Sequence, residues 1–209
     1  MDAIKALQWR YAVKRFDPQK KLSNKQLESI LEATNLSAAS YGVQAYKMIV
    51  IEDPELRREK LRPLTCSPQI TEASHLILFA IQTDLEPSYA EGLVNLIERE
   101  RQLPLGNLTS YKESIMNFIN SLDRREREVW QSEQTHIALG TLLYYCALEQ
   151  IDACPIGGFY KEGFDEVLSL KEKKIRSVVL AAIGYRSAED EFQHFKKVRK
   201  PLSEMILKY

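Results

Sequence analysis

Basic side chains gather near both ends of the chain. Arg10, Lys14 and Arg15 stand close to the front, and Lys196, Lys197, Arg199 and Lys200 close to the back. Guanidinium and ammonium groups suit one chemistry in particular, the binding of an anion with several acceptor oxygens, such as a phosphate monoester. The two clusters could converge on one anion, or each could be solvated surface charge; spacing alone leaves both readings open. Other signatures are missing. His75, His136 and His194 are isolated and fall in no metal-ligand spacing such as HExxH. No GxGxxG, no phosphate loop and no GxSxG is present. The run from Asp123 to Glu128 reads as a solvated helix start. Cys66, Cys146 and Cys154 are odd in number and widely spaced, forming neither a disulfide framework nor a CxxC motif. Such thiols fit a reducing cytoplasm.

The elements that must position these residues are those of a single-domain chain. Its 209 residues suit one domain, with room for an appended subdomain. With 44% hydrophobic and 28% charged residues the chain can bury a core. Lys and Arg total 29 and so do Asp and Glu, which argues against a protein built to coat nucleic acid or anionic lipid. No apolar run approaches the ~20 residues a membrane helix needs. The opening Met1-Asp2-Ala3-Ile4-Lys5 lacks a basic region followed by an apolar stretch, so no secretory signal is expected.

The patterning predicts a short helix over Asp2 to Trp9 and a second from Ser23, where Gln26 completes a capping box. Ser37 to Gly42 reads as a loop and Tyr46 to Ile51 as a strand. Asp53-Pro54 starts a helix. His75 to Gln82 is a nearly continuous apolar run, as in a strand covered on both faces. Helices are expected over Pro87 to Arg101 and Tyr111 to Leu122. Arg124 to Glu149 is one long helix or two joined near Ser132. A helical turn is expected at Val167 to Lys173, and a strand at Ser177 to Ile183. Residues Asp190 to Tyr209 read as an extended tail that needs something to pack on. The sum is α+β or α/β, a small sheet of four or five strands between helices.

Several separated segments, in order, resemble the FMN-dependent nitroreductases. The opening Ala6-Leu7-Gln8-Trp9-Arg10-Tyr11-Ala12-Val13-Lys14-Arg15-Phe16 is similar to that family's RRSxRxF segment. The stretch Ser37-Ala38-Ala39-Ser40-Tyr41-Gly42-Val43-Gln44-Ala45-Tyr46 resembles its SPSSxNxQPW loop, and Pro68 to His75 its QxxxxxAS segment before an apolar strand. Pro155-Ile156-Gly157-Gly158-Phe159 resembles its PxxGF turn, and Lys196-Lys197-Val198-Arg199-Lys200-Pro201 its KxR tail motif. The resemblance runs from Met1 to about Pro201.

The resemblance implies an α+β fold with a small mixed central sheet sandwiched by helices. Residues 1–209 would form one FMN-binding domain, with residues 87–130 a helical excursion over the site. Residues 190–209 would form a domain-swapped tail on the partner subunit of a homodimer. By position, Arg10, Lys197 and Arg199 would hold the FMN phosphate, with Tyr11 and Ala12 beside them. Lys14 would lie by the pyrimidine edge, stabilising the reduced flavin. Gln69 would donate to the same edge, and Cys66 would sit near the ring. Pro155, Ile156, Gly157 and Gly158 would line one flavin face. Ala38, Ala39, Ser40 and Gly42 would come from the other subunit. No protein side chain would act as nucleophile or general base.

This sequence departs from the family pattern at Tyr11, Ala12, Gly42, Cys66 and Gly157. The implied activity is hydride transfer from NAD(P)H through the flavin to a nitroaromatic, a quinone or a similar electrophile, in a ping-pong cycle. The rivals are a flavin-dependent dehydrogenase or oxidase of a dedicated metabolite, and a non-catalytic helical interaction protein on the same scaffold. The convergence of Arg10, Lys197 and Arg199, nearly a chain length apart in sequence, is the expectation a structure addresses most directly.

Overall fold

The computed structural model describes residues 2–209. The chain opens with helix α1 (Ala3–Trp9), whose N-cap Asp2 accepts hydrogen bonds from the backbone N–H groups of Ile4 and Lys5. Helix α2 (Asn24–Asn35) starts at the expected capping box, Ser23 with Gln26. Strand β1 (Tyr46–Ile51) leads to a π-helical turn at Leu56–Leu61. Asp53 Oδ1 receives the first free N–H groups of that turn, from Glu55 and Leu56. A short helix α3 (Gln69–Glu72) precedes strand β2 (His75–Gln82). Helices α4 (Pro87–Glu100), α5 (Thr109–Ser121) and α6 (Arg124–Leu148) follow. Strand β3 (Asp152–Ile156), helix α7 (Lys161–Val167) and strand β4 (Ile175–Gly184) complete the core. A tail with one turn of helix, α8 (Leu202–Met205), comes last.

The four strands lie in the order β1-β2-β4-β3, and each neighbouring pair is antiparallel. The sheet is therefore antiparallel rather than mixed. Among the described residues, a parallel element enters only as the isolated bridge between Ala12 and Ala153, where the chain after α1 lies along the outer edge of β3. Strand β2 shows why its sequence is apolar throughout. Ile77, Phe79 and Ile81 pack with Leu27 and Ile30 of α2 and Ala138 and Leu142 of α6. The alternate residues Leu76, Leu78 and Ala80 pack on the other face with Val13, Phe16, Leu61, Ile70 and Phe164. The period of two thus feeds two cores. A third cluster, Val43, Ala45, Ala90, Ile115, Ile119 and Trp130, ties α4 and α5 to α6. Among the described residues, no helix is long and apolar enough to cross a membrane.

Strand β3 is an element the patterning did not single out. It carries Pro155, which cannot donate to a ladder, and such a residue is tolerated because β3 is an edge strand. The helical turn expected at Val167 to Lys173 splits instead into the end of α7 and a 3-10 turn at Lys171–Lys173. Helix α6 is unbroken at Ser132, whose hydroxyl donates back to the Glu128 carbonyl within the helix. In the tail, Leu202, Met205, Ile206, Leu207 and Tyr209 are all exposed. At the opposite border of the sheet, β1 has no further strand beside it among the described residues.

One buried cation holds α3 in place. Arg57 is 2% exposed and its guanidinium donates to the carbonyls of Ile70, Ala73 and Ser74 at 2.6, 2.6 and 3.0 Å. Burial pushes this group down to about 10, so it stays charged at neutral pH. It closes the C-terminal end of α3, where carbonyls lack helical partners. Arg57→Met fills most of the volume but orphans three carbonyls. Hydrogen bonds to a charged group contribute about 1.5–3 kcal/mol each, so denaturant titration should show a loss of at least about 3 kcal/mol. Arg57→Lys should recover part of it.

Candidate active site

The front and back basic clusters meet at the end of α1. Arg10 is the C-cap of that helix and is partly buried. Lys197 Nζ donates to the carbonyls of Leu7 and Arg10, two of the acceptors that the helix end leaves open. Burial lowers the affinity of Arg10 for its proton, and the nearby charge of Arg199 lowers it further. Lys197 is pushed down by burial and then by both Arg10 and Arg199. Among the described residues, none of these three cations forms a salt bridge, and Arg10 Nε is buried with no hydrogen-bond partner. Like charges have been brought together with no carboxylate of the described residues paired to them.

The segment after Arg10 is strapped in extended form. Phe16 bridges Arg186 beyond the end of β4, Asp17 N–H donates to Tyr185 O at 2.8 Å, and Ser187 N–H donates to Arg15 O at 2.9 Å. Arg186 in turn pairs with the buried Asp152 of β3, its Nη2 lying 2.6 Å from Oδ1. The same guanidinium lies 4.3 Å from the ring centre of Trp9 and 4.7 Å from that of Tyr11, gripping the aromatic residues on either side of Arg10. Glu72 of α3 accepts from Arg15 Nε and from the Phe16 N–H. Asp190, almost wholly buried, accepts from Lys14 N–H, Arg15 N–H and the Tyr11 hydroxyl. Burial alone would raise the Asp190 carboxyl, but these donors outweigh it and hold the group below its ordinary value.

Gln69 lies under this segment. Its amide Nε2 donates to Val13 O at 3.1 Å and faces Cys154 Sγ at 3.8 Å. Both amide hydrogens are thereby engaged, and the group left over is the carbonyl Oε1, buried and without a partner. The expectation that Gln69 acts as a donor thus meets a side chain turned to accept. Pro155 and Ile156, the last residues of β3, lead to Gly157 and Gly158, which are exposed. A Cβ placed on either glycine would meet open space. The loop carrying Cys66 lies against this turn, because Thr65 Oγ1 donates to Gly158 O at 2.8 Å and Thr65 bridges Phe159. Cys66 itself is exposed.

Residues 38–42 sit elsewhere. Ser40 N–H donates to Gln134 Oε1 of α6 at 2.7 Å, and the Tyr111 hydroxyl of α5 donates to Tyr41 O at 2.8 Å. Gly42 has φ +64°, a conformation glycine adopts without strain, and Tyr41 before it has φ 52°. Among the described residues, the hydrogen bonds of this loop reach α5 and α6 and none reaches the segment after Arg10. Ala38, Ala39, Ser40 and Gly42 therefore do not share a hydrogen-bonded assembly with Arg10, Lys14, Gln69 and Gly157 within one chain. Asp190, Glu72, Asp152 and Arg186, which do join it, were not singled out from the sequence. Their only signal is that each is an acid or base bordering an apolar strand or a basic cluster.

Residues 7–185 match the model of the Nitroreductase family. The chain belongs to that family. A relative in Bacillus subtilis (strain 168), provisionally named the NAD(P)H nitroreductase YfkO, is 34% identical over 195 residues, covering 88% of each chain. The fold matches a provisionally named NAD(P)H:FMN oxidoreductase from Staphylococcus epidermidis ATCC 12228 with a TM-score of 0.86 and 20% identity, over 100% of this chain and 96% of that one. It also matches a provisionally named nitroreductase from Exiguobacterium sibiricum 255-15, solved in complex with FMN. There the TM-score is 0.84 and the identity 19%, over 100% and 98% of the two chains. The nitroreductase-like α+β fold is thus established, and with it an oxidoreductase family.

The three thiols of this nitroreductase-family chain differ sharply in environment. Burial pushes Cys146 up to about 12 and also raises Cys154, so neither offers a reactive thiolate near neutral pH. Iodoacetamide at pH 8 should therefore label Cys66 alone in the native protein and all three thiols in denaturant, as counted by mass spectrometry.

Proposed function

We propose that the protein is an FMN-dependent oxidoreductase that passes hydride equivalents from NAD(P)H to a nitroaromatic, a quinone or a similar electrophile, the two substrates using one site in turn. The observation that carries this reading is the convergence of Arg10, Lys197 and Arg199, with Arg10 Nε buried and unpartnered. A terminal phosphate is the anion that such a cluster suits. Two further features fit FMN. Gln69 Oε1 is an orphaned acceptor suited to a ring N–H, and the open space beside Gly157 and Gly158 leaves room for a planar ring against backbone.

In this mechanism FMN supplies the redox chemistry when bound. The chain supplies position and charge. Arg10, Lys197 and Arg199 hold the phosphate, while Tyr11 and Ala12 set the extended segment that follows Arg10. Lys14 places a cation where reduction deposits negative charge. Pro155, Ile156, Gly157 and Gly158 border one face of the ring, and Cys66 flanks it. No side chain is required as a nucleophile. NAD(P)H enters as co-substrate.

The functional unit in this reading is a homodimer. The bare edge of β1, the exposed apolar side chains of the tail and the half-exposed stretch of α6 at Ile137, Leu143 and Tyr144 all want a cover. A second copy provides it, with each tail laid on its neighbour and the partner's copy of residues 38–42 closing the site. An obligate interface of this kind buries about 2,000 Å² or more. The unpaired thiols fit a reducing cytoplasm.

Purified protein should carry a yellow chromophore or acquire one on incubation with FMN, and NAD(P)H should bleach it under anaerobic conditions. A preparation that stays colourless after loading and desalting overturns the flavin reading. Arg199→Ala should weaken FMN binding by about tenfold or more, as read by fluorescence titration. Truncation after Lys200 should weaken dimer and FMN retention together. A flavin-loaded monomer in light scattering at micromolar dilution would reject the shared site.

A further inference from the structure

We propose that Asp190 is a positioning residue for Lys14, and so for the redox balance of the site. The inference rests on the flavin reading above. Both oxygens of this one carboxylate bear on Lys14. Oδ2 accepts from the Lys14 backbone N–H at 2.8 Å, together with Arg15 N–H at 3.2 Å and the Tyr11 hydroxyl at 3.0 Å. Oδ1 accepts from Phe192 N–H at 3.1 Å and so caps the 3-10 turn Glu191–His194. That turn sets the Phe192 ring 5.8 Å from Lys14 Nζ, within reach of a cation–π contact. One oxygen fixes the backbone of Lys14 and the other fixes the surface on which its ammonium rests.

Asp190 is 1% exposed, and among the described residues it makes no salt bridge. Its charge is balanced by hydrogen-bond donors, which are directional and so define a geometry. The carboxylate also links the two halves of the cationic site. Its donors Tyr11, Lys14 and Arg15 follow Arg10, while Asp190 itself begins the segment that ends in Lys197 and Arg199.

A bare negative charge beside a site for an anion is unfavourable, and this gives the proposal a sign. If Asp190 acted only through its charge, Asp190→Asn would tighten FMN binding and raise the flavin reduction potential. If Asp190 positions Lys14, the same change frees that cation, and both quantities move the other way. A residue needed only for folding would move neither in protein that has folded and taken up FMN.

The experiment measures FMN affinity and reduction potential in FMN-loaded parent, Asp190→Asn, Tyr11→Phe and Lys14→Met proteins, and in the Asp190→Asn, Lys14→Met double variant. Asp190→Asn should favour oxidised over reduced flavin by about tenfold more than the parent does, which for a two-electron couple is about 30 mV downward. Tyr11→Phe, which removes one of the donors, should shift the potential the same way by less. In the Lys14→Met background Asp190→Asn should cause no further fall. An unchanged or raised potential in Asp190→Asn, or an equal fall with and without Lys14, overturns the proposal. Should Asp190→Asn fail to fold, Tyr11→Phe decides: a lowered potential supports the proposal and an unchanged one overturns it. A parent protein that takes up no FMN would fail the flavin reading instead, which is a different result from a flavin-loaded set with equal potentials.

Discussion

Mutual repulsion among Arg10, Lys197 and Arg199 is the constraint around which this molecule is arranged. Arg199 weakens the hold of Arg10 and Lys197 on their protons and Arg10 weakens that of Lys197, and among the described residues none of the three has a carboxylate to neutralise it. Such a cluster persists only if the surrounding structure holds its members there. Lys197 is held by the carbonyl end of α1, where the helix dipole favours a cation. Arg10 is held by the flanking rings of Trp9 and Tyr11, which grip Arg186, which grips Asp152 of β3. The sheet's outer edge is thus wired to the cluster through one chain of charge and aromatic contacts.

The chain's acids divide the work of holding the chain around this cluster. Glu72 and Asp190 both tie down the segment from Tyr11 to Phe16, one from α3 and one from the start of the tail. Arg57 does the complementary task, gathering the carbonyls at the end of α3 so that Gln69 and Glu72 keep their places. Charged groups here act largely through backbone partners, so the network fixes main-chain paths and not merely side-chain pairs.

Much of the fold was legible in the sequence because the elements that carry it are strongly patterned. The capping box at Ser23 and Gln26, the apolar run of β2 and the long α6 announce themselves by spacing. Strand β3 did not, because Pro155 and its brevity look like a turn until its place at the sheet edge is known. The antiparallel sense of the sheet is likewise a property of connections, which local periodicity does not encode. For the site, the cations were legible as two clusters of like charge, and the resemblance gave them a joint role. Their carboxylate partners were not legible, since Asp190 and Glu72 are found only by what the folded chain brings to them. The same holds for Gln69, whose residue type gives no clue to which end of its amide is already engaged.

The contact between Lys197 and Arg10 spans 187 positions of sequence. A contact between segments so far apart belongs to the folded chain and not to its local helices and hairpins. An anion that needs both clusters finds no site on a partly folded chain, so it binds the native state alone and deepens that state by mass action. It would act as a latch across the two ends of the molecule. Fraying and proteolysis, which favour chain ends, would then slow in step with the anion's concentration, making the lifetime of the protein a readout of ligand supply.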